Sequence, residues 1–228
     1  MKLTLLCNAG LAIETKDAML LVDVPNQETP PFYGLPDNVW QSILLREVPY
    51  NKVCGFWFTH DHSDHFDQER MKAYLNRWPK VSVFLPGDTT QGGRVRMGPF
   101  TLEYHRMKHA PIPNAPAHVV TWIETGEGSV YLAADAELDP ERHREVLKNR
   151  TADAAVWNSM YLSRPETRSL MKDAGKQNYI YHMPAERPDC AGLWKKLERN
   201  FARYRSELEN VIVWDSYPTT VCIKNENA

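Results

Sequence analysis

Along the chain, apolar residues fall into short runs separated by polar turns. Leu3 to Leu6, Leu11 to Thr15 and Ala18 to Val24 have the length and composition of strands, and a tight turn at Lys16-Asp17 joins the last two, predicting a meander. Pro25 to Pro36 is broken by prolines yet carries Phe32 and Tyr33, so it reads as an aromatic loop. Asp37 to Val48 has helical spacing, with Trp40, Ile43, Leu44 and Val48 on one side. The unbroken apolar run Val53 to Phe58 predicts a strand buried on both faces. Asp67 is placed to cap a helix from Gln68 to Trp78, which Pro79 closes, and Val81 to Leu85 returns as a strand. Val95 to Met97 and Phe100 to His105 predict a hairpin around Gly98-Pro99, followed by a loop from Met107 to Ala117. His118 to Glu124 and Ser129 to Ala133 then pair across Gly126-Glu127-Gly128.

From Pro140 onward helices and strands alternate: Pro140 to Asn149 and Pro165 to Ala174 as helices, Ala152 to Trp157 and Asn178 to Tyr181 as strands. Gly192 to Glu209 is the longest helical pattern, and its stripe of Leu193, Leu197, Phe201, Tyr204 and Leu208 reads as core. Val211 to Trp214 and Thr220 to Ile223 are expected to complete a sheet. The class is α/β, and with no repeat or linker dividing the pattern, one domain over residues 1–228 is expected.

Composition narrows the partners. Of 228 residues 43% are hydrophobic, enough for a well-buried core, while 27 basic against 29 acidic residues give no field for nucleic acid or an anionic membrane, leaving a small-molecule substrate. The four cysteines form no C-x-x-C pair, which suits reduced thiols, and Cys190 reads as inert rather than as a ligand. Asn8 and Gly10 interrupt the apolar start too early for a signal peptide, and no run approaches the ~20 residues of a spanning helix, so a cytoplasmic location is expected.

The chemistry is concentrated in Thr59-His60-Asp61-His62-Ser63-Asp64-His65, three imidazoles and two carboxylates directly after a buried strand. Side chains two apart on an extended segment point the same way, so His60 and His62 are able to hold one ion while Asp64 and His65, on the following turn, reach a second. Unpaired imidazoles packed this closely would be costly to bury. An imidazole and carboxylate donor set takes zinc first, with manganese or iron also accepted.

The wider string Phe58 to Asp67 resembles the metallo-β-lactamase-fold hydrolases, and within them the lactonase-like and N-acyl-phospholipid phosphodiesterase-like members. That resemblance implies a four-layer αββα sandwich and three further ligands. Asp135, ending a strand, matches the bridging aspartate, with Ala134 where the family usually has glycine. His182, ending a later strand, matches the last histidine. The remaining histidine is His105, His109 or His118. The strand pattern turns His105 outward, His118 is either a ligand or a group that holds one, and His109 lies in the loop where the family places this ligand and is preferred. His143, between two arginines on a helix, reads as solvent-exposed. One ion would then be held by His60, His62 and His109 and another by Asp64, His65 and His182, with Asp135 shared.

Such a pair would lower the pKa of a bridging water to about 7 and, being net positive, favour an anionic or carbonyl-rich substrate. Asp64 is the candidate proton relay, and Asp61 either orients the motif or is solvated. Phe32, Tyr33, Asn158, Tyr161 and Arg187 are candidate substrate contacts, Arg187 being suited to a carboxylate, a phosphate or a structural ion pair. The expected activity is hydrolysis of an ester-like, lactone-like or amide-like bond. The alternatives are a phosphodiesterase with the same centre and a metal-binding sensor without turnover. An iron redox protein of the fold typically carries glutamate in place of the motif's second histidine, which here is His62.

Overall fold

Lys2–Leu5 (β1), Leu11–Glu14 (β2) and Met19–Val22 (β3) pair antiparallel as the predicted meander in the computed structural model, which describes residues 1–184 and 191–223. Arg187 and Cys190 lie outside the described residues. Helix α1, Asp37–Leu44, buries Trp40 and Ile43 but stops four residues short of Val48, which is 83% exposed. Two local facts end it: Arg46 takes a left-handed φ of 53°, and Pro49 disfavours helical geometry at the residue before it. Strand β4, Val53–Trp57, runs parallel to β3 with Cys54 bulged out of register, and α2, Gln68–Arg77, starts where the Asp67 carboxylate accepts the Glu69 and Arg70 amides, each at 3.0 Å. Ser82–Phe84 (β5) adds a further parallel strand.

The second half builds another sheet. Gly92–Met97 (β6), Phe100–Arg106 (β7), Val119–Thr125 (β8) and Gly128–Ala134 (β9) are antiparallel; Pro140–Leu147 (α3), Ala152–Asn158 (β10), Pro165–Ala174 (α4), Gly175–Tyr181 (β11), Ala191–Tyr204 (α5) and Val211–Val213 (β12) follow. Strands β9 to β12 are mutually parallel, as right-handed helix crossovers require. The last strand, Thr219–Cys222 (β13), does not join β12. It crosses to the free edge of β1, so the two C-terminal strands close different sheets, ordered β13-β1-β2-β3-β4-β5 and β12-β11-β10-β9-β8-β7-β6. Both sheets thereby protect an edge.

Strand alternation sorts the apolar residues into three cores. Leu3, Leu5, Leu20, Trp57, Val130, Leu132 and Val156 meet between the sheets; Phe56, Phe58 and Leu21 pack on α1 and α2; Tyr131, Ala133, Trp157 and Ile180 pack on the helices of the other side. The layers are αββα. Two further residues depart from expectation. His143 is fully buried, because it shares the inner face of α3 with Val146 and Leu147, three and four residues on, while Arg142 and Arg144 point out to Glu145 and Glu141. Leu193, read as core, is 43% exposed while Leu197 is buried.

Candidate metal centre

Parallel strands align their C-terminal ends, and the candidate residues collect there. Asp23 follows β3, the His60 string follows β4, and Asp135, Asn158 and His182 end or follow β9, β10 and β11; His109 comes from the loop ahead of β8. Two backbone hydrogen bonds tie the sheets together at this edge, Val119 N to Thr59 O at 3.0 Å and His182 N to Asn8 O at 3.1 Å.

Ligand atoms of His60, His62 and His109 lie within 4.8 Å of one another, as do those of Asp64, His65 and His182. A third group, His60, His65 and Asp135, spans the two. Asp135 Oδ2 is 3.5 Å from His65 Nε2, 3.5 Å from His182 Nε2 and 3.7 Å from His109 Nε2, so one oxygen faces both sets. His182 Nε2 is also 3.1 Å from His65 Nε2 and 3.2 Å from Asp64 Oδ2.

The surroundings decide which ring nitrogen is available. Thr59 donates its hydroxyl to Asp23 Oδ2, so its oxygen accepts from His60 Nδ1 at 3.0 Å, and His109 Nδ1 donates to Ala110 O at 2.8 Å. Both rings are left with Nε2 lone pairs that are buried and have no hydrogen-bond partner among the described residues. A desolvated imidazole lone pair facing carboxylates is costly unless a cation takes it, so this donor set fits divalent metal ions. His65 Nδ1 is fixed in the same way by Asp23 Oδ2 at 2.9 Å.

Electrostatics agree. Burial holds His60 far below the usual imidazole range, with His65 and His118 adding to the effect. Burial alone would lower His65 too, but Asp135 and Asp23 outweigh it and raise that ring well above its usual value. Burial would raise Asp135, yet His182 and His65 hold its carboxyl well below the carboxylate range. These directions favour a charged His65 ring beside an ionised Asp135, and bound cations would take the place of that ring proton.

His109 and His118 have different roles. His118 Nε2 accepts the Asp135 amide at 3.1 Å, so His118 holds the strand end that presents Asp135, while His109 points its free nitrogen at Asp135 itself. Burial pushes His118 down to about 3 and keeps it neutral. His105 pairs with Glu103 at 3.0 Å, away from the centre, and Asp61 is exposed.

Of the candidate substrate contacts, Phe32 packs edge-on against His182 with ring centroids 4.2 Å apart, and Asn158 reaches the centre with Nδ2 donating to Asp135 Oδ1 at 2.6 Å. Tyr33 does not line this cleft. As the neighbour of Phe32 on an extended loop it faces the other way, toward Tyr217. Tyr161 does not line it either, because the 3-10 turn Ser159–Ser163 rotates it inward until its ring is fully buried and its hydroxyl meets His143. Asp23 was missed from the sequence. Its signal is a carboxylate at the end of the apolar run Met19 to Val22, a position that is fully buried here.

No protein-family model and no curated protein sequence matches this chain. Solved structures do. An isothiocyanate hydrolase from Delia radicum gut bacteria superposes with a TM-score of 0.68 at 14% identity, over 99% of this chain and 100% of that one. A possible metal-dependent hydrolase from Veillonella parvula gives 0.67 at 15% identity over 97% and 98%. The diiron β-hydroxylase CmlA from Streptomyces venezuelae gives 0.63 at 12% identity, over 96% of this chain and 53% of that one. At such identities the likeness speaks for architecture alone. The chain therefore shares the αββα architecture of these solved structures, with its candidate metal ligands gathered at one edge of the sandwich.

Proposed function

We propose that the protein is a dinuclear metal-dependent hydrolase whose substrate carries a neutral apolar group beside the bond it breaks. The observation that supports this reading is a cleft of about 580 Å³ with the ligand cluster at its floor and walls built from Pro30, Phe32, Ile112, Met160, Leu193 and Leu197. No lysine or arginine lines it among the described residues. An apolar substituent therefore fits better than the anionic group expected from the charge of the centre alone.

His60, His62 and His109 would hold one ion and Asp64, His65 and His182 the other, with Asp135 between them. Zinc suits this imidazole-rich set best, manganese and iron being acceptable. Divalent ions bound there supply Lewis acidity and an acidified water, which is the chemistry that hydrolysis of an ester-like, lactone-like or amide-like bond requires. The chain's own contribution is orientation and proton handling. Asp23 and Thr59 set the rings of His60 and His65, and Asn158 sets Asp135. Asp64 lines the cleft floor, where its carboxylate is placed to hold a proton released during the reaction and return it to the leaving atom. Phe32 and the opposite wall exclude water from that floor.

The test is a screen of metal-loaded protein on esters, lactones, amides and phosphodiesters, each in a short polar and a long apolar version. Turnover that rises with the apolar group, disappears on chelation and returns with metal is expected. A protein that binds its ions but turns over no member would refute the hydrolase reading.

A further inference from the structure

On the face of β9 opposite the cleft, three buried side chains form a chain of hydrogen bonds that ends at the turn directly after the candidate bridging aspartate. Tyr131 on β9, His143 on α3 and Tyr161 in the turn after β10 are all completely buried. Tyr131 Oη lies 2.5 Å from His143 Nδ1, and His143 Nε2 lies 2.6 Å from Tyr161 Oη. Tyr161 donates its only proton to the carbonyl oxygens of Ala136 and Glu137, at 3.3 and 3.2 Å. Its oxygen must therefore accept from His143 Nε2–H, so Nδ1 carries the lone pair and accepts from Tyr131. The direction of the whole chain follows from those two carbonyls.

Ala136 and Glu137 are the residues directly after Asp135, and the turn they make also holds His109. Ala110 N donates to Asp135 O at 2.7 Å and Glu137 N donates to Lys108 O at 2.8 Å, bracketing His109 between two bonds to the same turn. Asn158 enters from the residues just before Tyr161 and fixes the Asp135 carboxylate. The turn is thus gripped from the cleft side by Asn158 and from the helix side by Tyr161.

We infer that Tyr161, oriented by His143 and Tyr131, is a positioning residue that sets the turn 135–137 and through it the geometry of Asp135 and His109 as ligands. This rests on the dinuclear reading above. A hydroxyl buried merely to be satisfied needs one partner, whereas this one takes three, two of them consecutive carbonyls at the head of the ligand turn. The strand end itself is irregular there. The register between β9 and β10 slips between Val156 and Trp157, and Ala134 has a left-handed φ of 48°, so the ladder does not hold Asp135 and other bonds must.

The experiment is titration of metal-free wild type, Tyr161→Phe, His143→Leu, His143→Gln and Leu170→Ala with Zn(II) against a chromophoric chelator, and with Co(II) read by its visible absorption bands. Wild type binding no ions would sink the dinuclear reading itself. With two ions bound by wild type, Tyr161→Phe is expected to bind one of them about tenfold more weakly and to shift the Co(II) bands. His143→Leu should do the same, and His143→Gln, which keeps a donor and an acceptor, should recover most of the loss. Leu170→Ala opens the same helix-side core without touching the turn, so it should lower stability and leave both affinities as in wild type. Wild-type affinities and Co(II) bands in Tyr161→Phe, or an equal loss in Leu170→Ala, would overturn the inference.

Discussion

Ala134 adopts a φ of 48°, a left-handed conformation that costs a residue with a Cβ about 1–2 kcal/mol. From sequence, alanine in place of the family's glycine looks like a minor change of size. The backbone shows that the position asks for conformational freedom instead, and Asp23 at 52° and His182 at 57° share the condition. Ala134→Gly should then leave stability within about 1 kcal/mol, relief of strain offsetting the looser unfolded chain and the lost methyl. Urea unfolding would show it, and a loss beyond about 2 kcal/mol would mean that packing of the methyl dominates. Asp23 carries more of the site, since one carboxylate takes the Thr59 amide and hydroxyl at 2.8 Å each and orients His65. Asp23→Asn keeps the volume but sets one N–H against a donor, so metal affinity should fall by about 10–100-fold. Chelator competition measures this, and an affinity within twofold of wild type would remove Asp23 from the centre.

At the scale of elements, what is local was legible. Asp67 caps α2 as expected, and Pro140 and Pro165 open α3 and α4. What depends on phase or on distant partners was not. Val146 and Leu147 already placed His143 on the inner stripe of α3, but the flanking arginines suggested solvent; the crossing of β13 to β1 has no local signal at all. The burial of His143 has a measurable result. Desolvation pushes its ring down to about 4, against the Glu137 carbonyl and Asp139, from 6.5 in the unfolded chain. Between those values the unfolded state binds the extra proton, so stability is full above about pH 6.5 and is lost as pH falls toward 4, by about 2 kcal/mol at pH 5. Metal-free His143→Gln lacks this titration. It should lose about 2 kcal/mol less than metal-free wild type between pH 7 and pH 5 in urea unfolding, and equal losses would show that His143 is already solvated.

Over the whole molecule, the two sheets bring together ligands that stand far apart in the chain, from His60 to His182. The string after β4 announced metal by its density, but the convergence of His109, Asp135 and His182 on it came from the family resemblance, because no periodicity links them. The cleft walls were the least legible part, since an apolar residue on an amphipathic helix looks like core until no layer is found above it among the described residues. Leu193 is such a residue, third in α5 and 43% exposed beside Ile112 and Met160, which are 43% and 37% exposed. A carboxylate there sits in the first turn of the helix, where the macrodipole favours it, so Leu193→Asp should fold with stability within about 0.5 kcal/mol of wild type. It would nevertheless place a charge in the wall meant for an apolar group. Losing contact with about 50 Å² of that group at roughly 25 cal/mol per Å² amounts to about a tenfold fall in kcat/KM. That fall is expected for the long apolar substrate, through KM, and not for its short polar counterpart. An equal fall for both would locate the damage in the metal centre, and no fall for either would mean that the substrate does not reach this wall.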